Sequence, residues 1–129
     1  MLEVRDCKYG RGVFAVETLP EGILVEESPI LVFSSEEAEY ILNTHLQLYT
    51  FEYNADNTCL AFGLGSLFNH SSKPNTAYRI NKREQVIEFY TYRKIRKNSQ
   101  LFIDYGYSMK DARNFEKHLE YKEYVRRYF

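Results

Sequence analysis

A chain of 129 residues, 44% hydrophobic and 27% charged, is long enough for one domain with a real core, too short for two comfortable ones, and soluble in character. It contains no apolar run of the roughly 18 residues that a membrane-spanning helix requires, and its opening Met1-Leu2-Glu3-Val4-Arg5-Asp6 is charged where a secretory leader would be apolar. The net charge is −1, yet residues 1–60 hold eleven acids and three bases while residues 61–129 hold seven acids and fourteen bases.

The expected location is therefore an intracellular, reducing compartment, cytoplasm or nucleus, with no membrane partner and no direct nucleic-acid binding. The charge asymmetry offers either an acidic face for a basic partner or two halves that pair with each other. Cys7 and Cys59 lie far apart and outside any CxxC pair, so free thiols are expected and a thiolate zinc site is not. Twelve Tyr and nine Phe without a Trp suit either a β-rich core or a packed pocket with polar tips.

In chain order, Gly12 to Leu19 leans to strand, and Leu19-Pro20-Glu21-Gly22 reads as a turn of type I preference. Ile23 to Phe33 reads as strand, with Pro29 expected at an edge or bulge. Ser34-Ser35-Glu36-Glu37 carries the S-x-x-E capping signature. Ala38, Ile41, Leu42, His45, Leu46 and Tyr49 recur at helical spacing, predicting one amphipathic helix. Residues 76–104 return to strand, with Val86-Ile87-Glu88-Phe89-Tyr90-Thr91-Tyr92-Arg93-Lys94-Ile95 bounded by polar turns. From Ser108 the helical spacing resumes and runs through Phe115 to the end.

Three stretches could carry chemistry. Gly10-Arg11-Gly12 lets backbone approach a ligand closely, but a β-branched run follows where a dinucleotide fingerprint needs a helix; by itself it is also an ordinary turn before a strand. Leu67-Phe68-Asn69-His70-Ser71-Ser72-Lys73-Pro74-Asn75 is either a buried Asn-His pair bonded to backbone or a polar site. His45, His70 and His118 lack metal-ligand spacing, so no metal is expected, and nothing local supports a Cys–His nucleophile. Leu101-Phe102-Ile103-Asp104-Tyr105-Gly106 is a strand running into a glycine turn.

Taken in order and spacing, the three stretches together resemble the SET domain of protein lysine methyltransferases over residues 8 to 107, most like its compact viral and bacterial members. The resemblance implies a mainly β fold with a few helices, β-clip-like, in which a C-terminal strand threads beneath a preceding loop as a pseudoknot. That runs against the usual rule for connections. Residues 1–107 would form the core and 108–129 a helical segment completing the site.

It further implies S-adenosylmethionine as cofactor, contacted by Gly10, Arg11, Gly12, the Asn69 amide and the His70 backbone, with Phe115 a candidate adenine cover. Tyr105 matches the catalytic tyrosine of an in-line methyl transfer, a step that depends on alignment more than on acid–base power. Tyr49, Tyr78 and Tyr107 match positions around a lysine channel. The partner implied is a protein with a basic, lysine-containing segment such as a histone-like tail, and a homodimer is compatible. The rival is a catalytically silent SET-fold module that binds a peptide. Ser72 departs from a frequent family cysteine and Ser99-Gln100 from its usual Glu-Glu. The family's cysteine-rich zinc segments are absent.

Overall fold

The computed structural model describes residues 1–105; the expected helix over 108–129, with Tyr107 and Phe115, lies outside the described residues. Two sheets form among the described residues. Strands β1 (Leu2–Cys7), β2 (Gly10–Ala15), β9 (Gln100–Ile103) and β6 (Asn69–His70) make a four-stranded sheet in the order β1-β2-β9-β6. Strands β4 (Thr50–Glu52), β5 (Thr58–Ala61), β3 (Leu24–Phe33), β8 (Val86–Thr91) and β7 (Thr76–Asn81) make a five-stranded sheet in the order β4-β5-β3-β8-β7. The expected mainly β fold is what the chain adopts.

The core lies between the sheets. β8 alternates Ile87, Phe89 and Thr91 inward with Val86, Glu88 and Tyr90 more exposed, the period of a strand with one buried face. Val13 and Ala15 of β2, Leu101 and Ile103 of β9, Phe68 and Cys59 join Ile87 and Phe89 in one buried cluster. Phe68 stacks on Phe89 at a ring separation of 4.5 Å, bringing the stretch just before Asn69 into the centre of the molecule.

Three local expectations are corrected. β3 is the middle strand of its sheet, and Pro29 sits where β3 changes partner, pairing β8 over Leu24–Pro29 and β5 over Ile30–Phe33; a missing N–H costs little at such a changeover. The strand's bulge lies instead between Leu24 and Glu26. The single helix expected from Ala38 to Tyr49 is two pieces, an α-helix α1 (Ser35–Ile41) and a 3-10 turn (His45–Tyr49). Ser34 caps the first as its sequence signature requires, accepting from the Glu37 N–H at 3.2 Å. Thr44 ends it by donating to the Ile41 carbonyl and starts the second by accepting from the Leu46 N–H, a side-chain competition that helical periodicity does not register. The turn expected at Leu19–Gly22 is centred on Glu21 and Gly22, with Gly22 at φ +83°, the position type II turns give to glycine.

β9 is gripped from both edges. Successive residues of a strand point their N–H and C=O groups to opposite edges. At one edge Leu101 pairs with Val13, and Ile103, two residues on, accepts from the Ser71 N–H at 2.9 Å as β6 runs parallel to it. At the other edge the Asn75 side chain donates to the Gln100 carbonyl at 2.9 Å and accepts from the Phe102 N–H at 2.8 Å. Residues 71–75 therefore cross from one edge of β9 to the other, and the strand passes beneath them. This is the threaded connection the resemblance implied.

Candidate active site

The β1–β2 hairpin turns at Lys8-Tyr9, and Gly10 follows it at φ +97°, a left-handed conformation that favours glycine. Gly12 serves a different purpose. A side chain there would run into the Gln100 carboxamide and lie 3.0 Å from Asn69 Nδ2, so its bareness makes room for those two amides. The two glycines of one motif thus answer to two separate demands, a turn and a close approach.

Asn69 is 6% exposed. Its Nδ2 donates to the Arg11 carbonyl at 2.8 Å and to Gln100 Oε1 at 2.8 Å, with the Cys7 sulfur farther off at 3.7 Å. Segments 10–12, 69–70 and 100 therefore meet at one point. The Asn69 Oδ1 accepts no hydrogen bond from the described residues, and a buried carbonyl left so costs about 1–3 kcal/mol. That orphaned acceptor, beside a strand edge stripped to glycine at 12, is the mark of a ligand site.

Tyr105 is held at both ends by the segment following the 3-10 turn Gly65–Leu67. Its hydroxyl donates to the Phe68 carbonyl at 2.8 Å, and its backbone N–H donates to His70 Nδ1 at 3.0 Å. The His70 ring lies 5.0 Å from that of Tyr105. A ring nitrogen that accepts carries no proton, so the His70 proton belongs on Nε2. Asp104 Oδ1 approaches the same Nδ1 at 3.9 Å. The Asn-His pair is thus a buried pair bonded to backbone and also the wall of a site.

Tyr105 opens onto a depression lined by Tyr49, Phe51, Ser66 and Phe68. Ser66 ties it together, donating to the Tyr49 carbonyl at 2.7 Å while accepting from the Ala61 N–H. Tyr78 stands one layer back, with its ring 5.3 Å from Phe51 and 6.0 Å from Phe89. Burial first, then the charges of Asp104 and Glu52, push its phenol upward, so it stays protonated through the neutral range. The structure thus sets the Gly10-Arg11-Gly12 segment against Asn69, and Tyr105 against His70 and Tyr49, with the adjoining Asn69 and His70 linking the two groups and Tyr78 behind Phe51. Tyr107 and Phe115 fall outside the described residues.

Sequence reading missed Gln100 and Asn75 as working parts, and gave His70 only its backbone. Asn75 stood in the quoted stretch, and an Asn after Pro74 was the available signal for a backbone clamp. Among the described residues, no group of three or more His, Cys, Asp or Glu could hold a metal ion.

Comparison with known proteins now bears on this geometry. The SET-domain family model matches residues 10–106, which spans all three converging segments. The chain belongs to the SET-domain family. A Schizosaccharomyces pombe relative, "Histone-lysine N-methyltransferase, H3 lysine-37 specific", is 44% identical to this SET domain over 107 residues, 81% of this chain and 73% of its own. A crystal structure of a Plasmodium falciparum "putative histone methyltransferase" superposes with a TM-score of 0.70 at 28% identity, covering 83% of this chain and 94% of its own. Neither of these two relatives is a viral or bacterial protein.

Proposed function

We propose that this SET domain transfers a methyl group from S-adenosylmethionine to the ε-amine of a lysine in a basic, histone-like protein segment. The chain is a protein-lysine N-methyltransferase, as its family and its 44% identical histone-lysine methyltransferase relative support. The observation that carries the reading is the meeting of Gly12, Arg11 and Gln100 at a buried Asn69 amide with an orphaned acceptor, while Tyr105, bonded to the flanking Phe68 and His70, lines an aromatic depression.

S-adenosylmethionine, when bound, supplies an electrophilic methyl group on a sulfonium. Gly10, Arg11 and Gly12 would meet it with backbone, Asn69 with its side-chain carbonyl and His70 with its backbone, while Phe115 would cover the adenine. The Tyr105 hydroxyl spends its hydrogen bond on the Phe68 carbonyl, so towards the reacting centre it presents an oxygen acceptor rather than an acid. It positions and stabilises positive character there.

The lysine must arrive neutral. With an ordinary pKa of about 10.4, deprotonation at pH 7.4 costs about 4 kcal/mol. A channel walled by Tyr49, Phe51 and Phe68 disfavours the charged amine through desolvation. Tyr78 and Tyr107 would set how many methyl groups the channel admits.

The charge distribution supports a basic substrate. The ion pairs Arg5–Glu3, Arg79–Glu88 and Arg83–Glu84 each stay within one half of the chain, and none between described residues joins the halves. Ten of the eleven acids of the first half, including Glu36, Glu37 and Glu39 of α1 and Glu52 beside the depression, are exposed, and Glu26 is half-buried.

The test is incubation with isotopically labelled S-adenosylmethionine and a panel of basic proteins, followed by mass spectrometry of the labelled residue. Label on lysine side chains of a defined protein is the expected result. Absence of label, together with no calorimetric heat from the cofactor and retained peptide binding, would replace the reading with a silent peptide-binding module.

A further inference from the structure

The hydrogen-bond capacity around Asn69 closes in a way that dictates what the site accepts. The Arg11 carbonyl can only accept, so the Asn69 atom facing it at 2.8 Å is the amide nitrogen. That nitrogen has two hydrogens. The second goes to the Gln100 side chain at 2.8 Å, so the Gln100 atom there must be its carbonyl oxygen. The Cys7 sulfur, 3.7 Å from Nδ2 and 4.0 Å from Gln100 Oε1, completes the ring of neighbours. Both N–H groups of Asn69 are spent, and only its Oδ1 remains for a ligand, on a residue 6% exposed.

Resting on the proposed function, we propose that Gln100 is a positioning residue which locks the Asn69 amide in this orientation and makes the site select a ligand carrying a hydrogen-bond donor there. The donor assigned to it is the α-ammonium of the amino-acid moiety, the cofactor's one charged hydrogen-bond donor and so the strongest partner for a buried carbonyl. Without Gln100 the amide would keep one anchor, Arg11, and one N–H would have no acceptor on the protein. It could then swing to offer that N–H to a ligand, and a ligand lacking the ammonium would no longer be penalised by an unmet acceptor.

Gly12 belongs to the same device, since any side chain there would fill the space that the Gln100 carboxamide occupies. The departure from the family's usual acid at this position then has a physical meaning. A neutral amide oxygen performs the same acceptor duty without placing a charge beside Asn69.

The test uses calorimetric binding, not turnover. S-adenosylhomocysteine and its deaminated analogue, alike except that hydrogen replaces the amine, are titrated into the whole protein and its Gln100→Leu and Gln100→Glu variants. The native chain is expected to prefer the amine-bearing ligand by about tenfold to a hundredfold. Gln100→Leu should bring that ratio to within a few-fold of unity, while Gln100→Glu, which keeps an acceptor oxygen, should preserve it. An unchanged ratio in Gln100→Leu overturns the proposal. Should Gln100→Leu fail to fold, loss of the ratio in a folded Gln100→Glu overturns it as well. A native chain that binds neither ligand instead defeats the functional reading on which the proposal rests.

Discussion

Tyr105 shows how much one side chain's surroundings fix its task. Its hydroxyl donates to the Phe68 carbonyl and its backbone N–H to the His70 ring, so the phenol is aimed by the segment that also carries Asn69. Tyr105→Phe should therefore leave cofactor affinity within a few-fold, lower methyl transfer by about a hundredfold or more, and cost about 1 kcal/mol of stability through the lost bond; single-turnover kinetics and calorimetry separate these effects. The two thiols should also behave differently. Burial pushes the Cys59 thiol up to about 11 from 9.0, so it resists alkylation at pH 8 while half-buried Cys7 reacts, as peptide mass mapping would read. Because the folded state holds that proton more tightly, its contribution is complete below pH 9 and fades as pH rises towards 11, by about 3 kcal/mol at most. Cys59→Ala should flatten that decline in denaturation series. At this scale Asn69, His70 and Tyr105 were legible because motif and chemistry coincide in them. Gln100 was not, since its meaning lies in a partner 31 positions away.

Among the elements, the 3-10 turn Gly65–Leu67 matters most to the site, because it launches Phe68 and Asn69. It has no cap of its own. Instead β3 supplies one across the fold. The Leu64 N–H donates to Glu26 Oε2 at 2.7 Å and the Gly65 N–H to Ser28 Oγ at 3.0 Å, and Ser28 in turn donates to Glu26 at 2.8 Å. Ser28 is fully buried, so Ser28→Ala leaves the Gly65 N–H orphaned and should cost about 1–3 kcal/mol. Chemical denaturation would show this as a lower midpoint at unchanged slope. The strands with clean alternation, β8 above all, were legible. β4 and β5 were not, for Thr50–Glu52 and Thr58–Ala61 are too short for a period to emerge and take their conformation from pairing, β5 with β3 and β4 with β5. The break between α1 and the 3-10 turn escaped notice because Thr44 overrides a periodicity that continues straight through it.

For the molecule as a whole, charge and threading each carry a prediction. If the exposed acids of the first half gather a basic substrate, Glu36, Glu37, Glu39 and Glu52 changed together to Gln should raise the peptide KM several-fold at low salt with kcat little altered. The difference should vanish as ionic strength shortens the screening length to about 3 Å near 1 M; a KM unmoved at low salt counts against the acidic surface. The Asn75 clamp is the second case. Asn75→Ala removes both bonds to β9 and should destabilise the fold by about 2–4 kcal/mol. Asn75→Asp, which retains the acceptor for Phe102, should fall between, as thermal unfolding would report. Neither threading nor two-edged grip could be read from composition or period. Only the resemblance foretold the threading, because general connection rules point the other way, and the Asn75 grip was not foretold at all.

That clasp around β9 also says something about when the protein becomes competent. Gln100 orients one wall of the pocket, Tyr105 follows the strand's far end, and neither is in place until β9 lies under residues 71–75. A chain that has collapsed without seating this strand would have a buried core and no means of gripping a ligand. Competence should then arrive as the last stage of folding. The amides of Leu101, Phe102 and Ile103 should exchange with deuterium only when ligand-binding capacity is lost, the two signals sharing one opening.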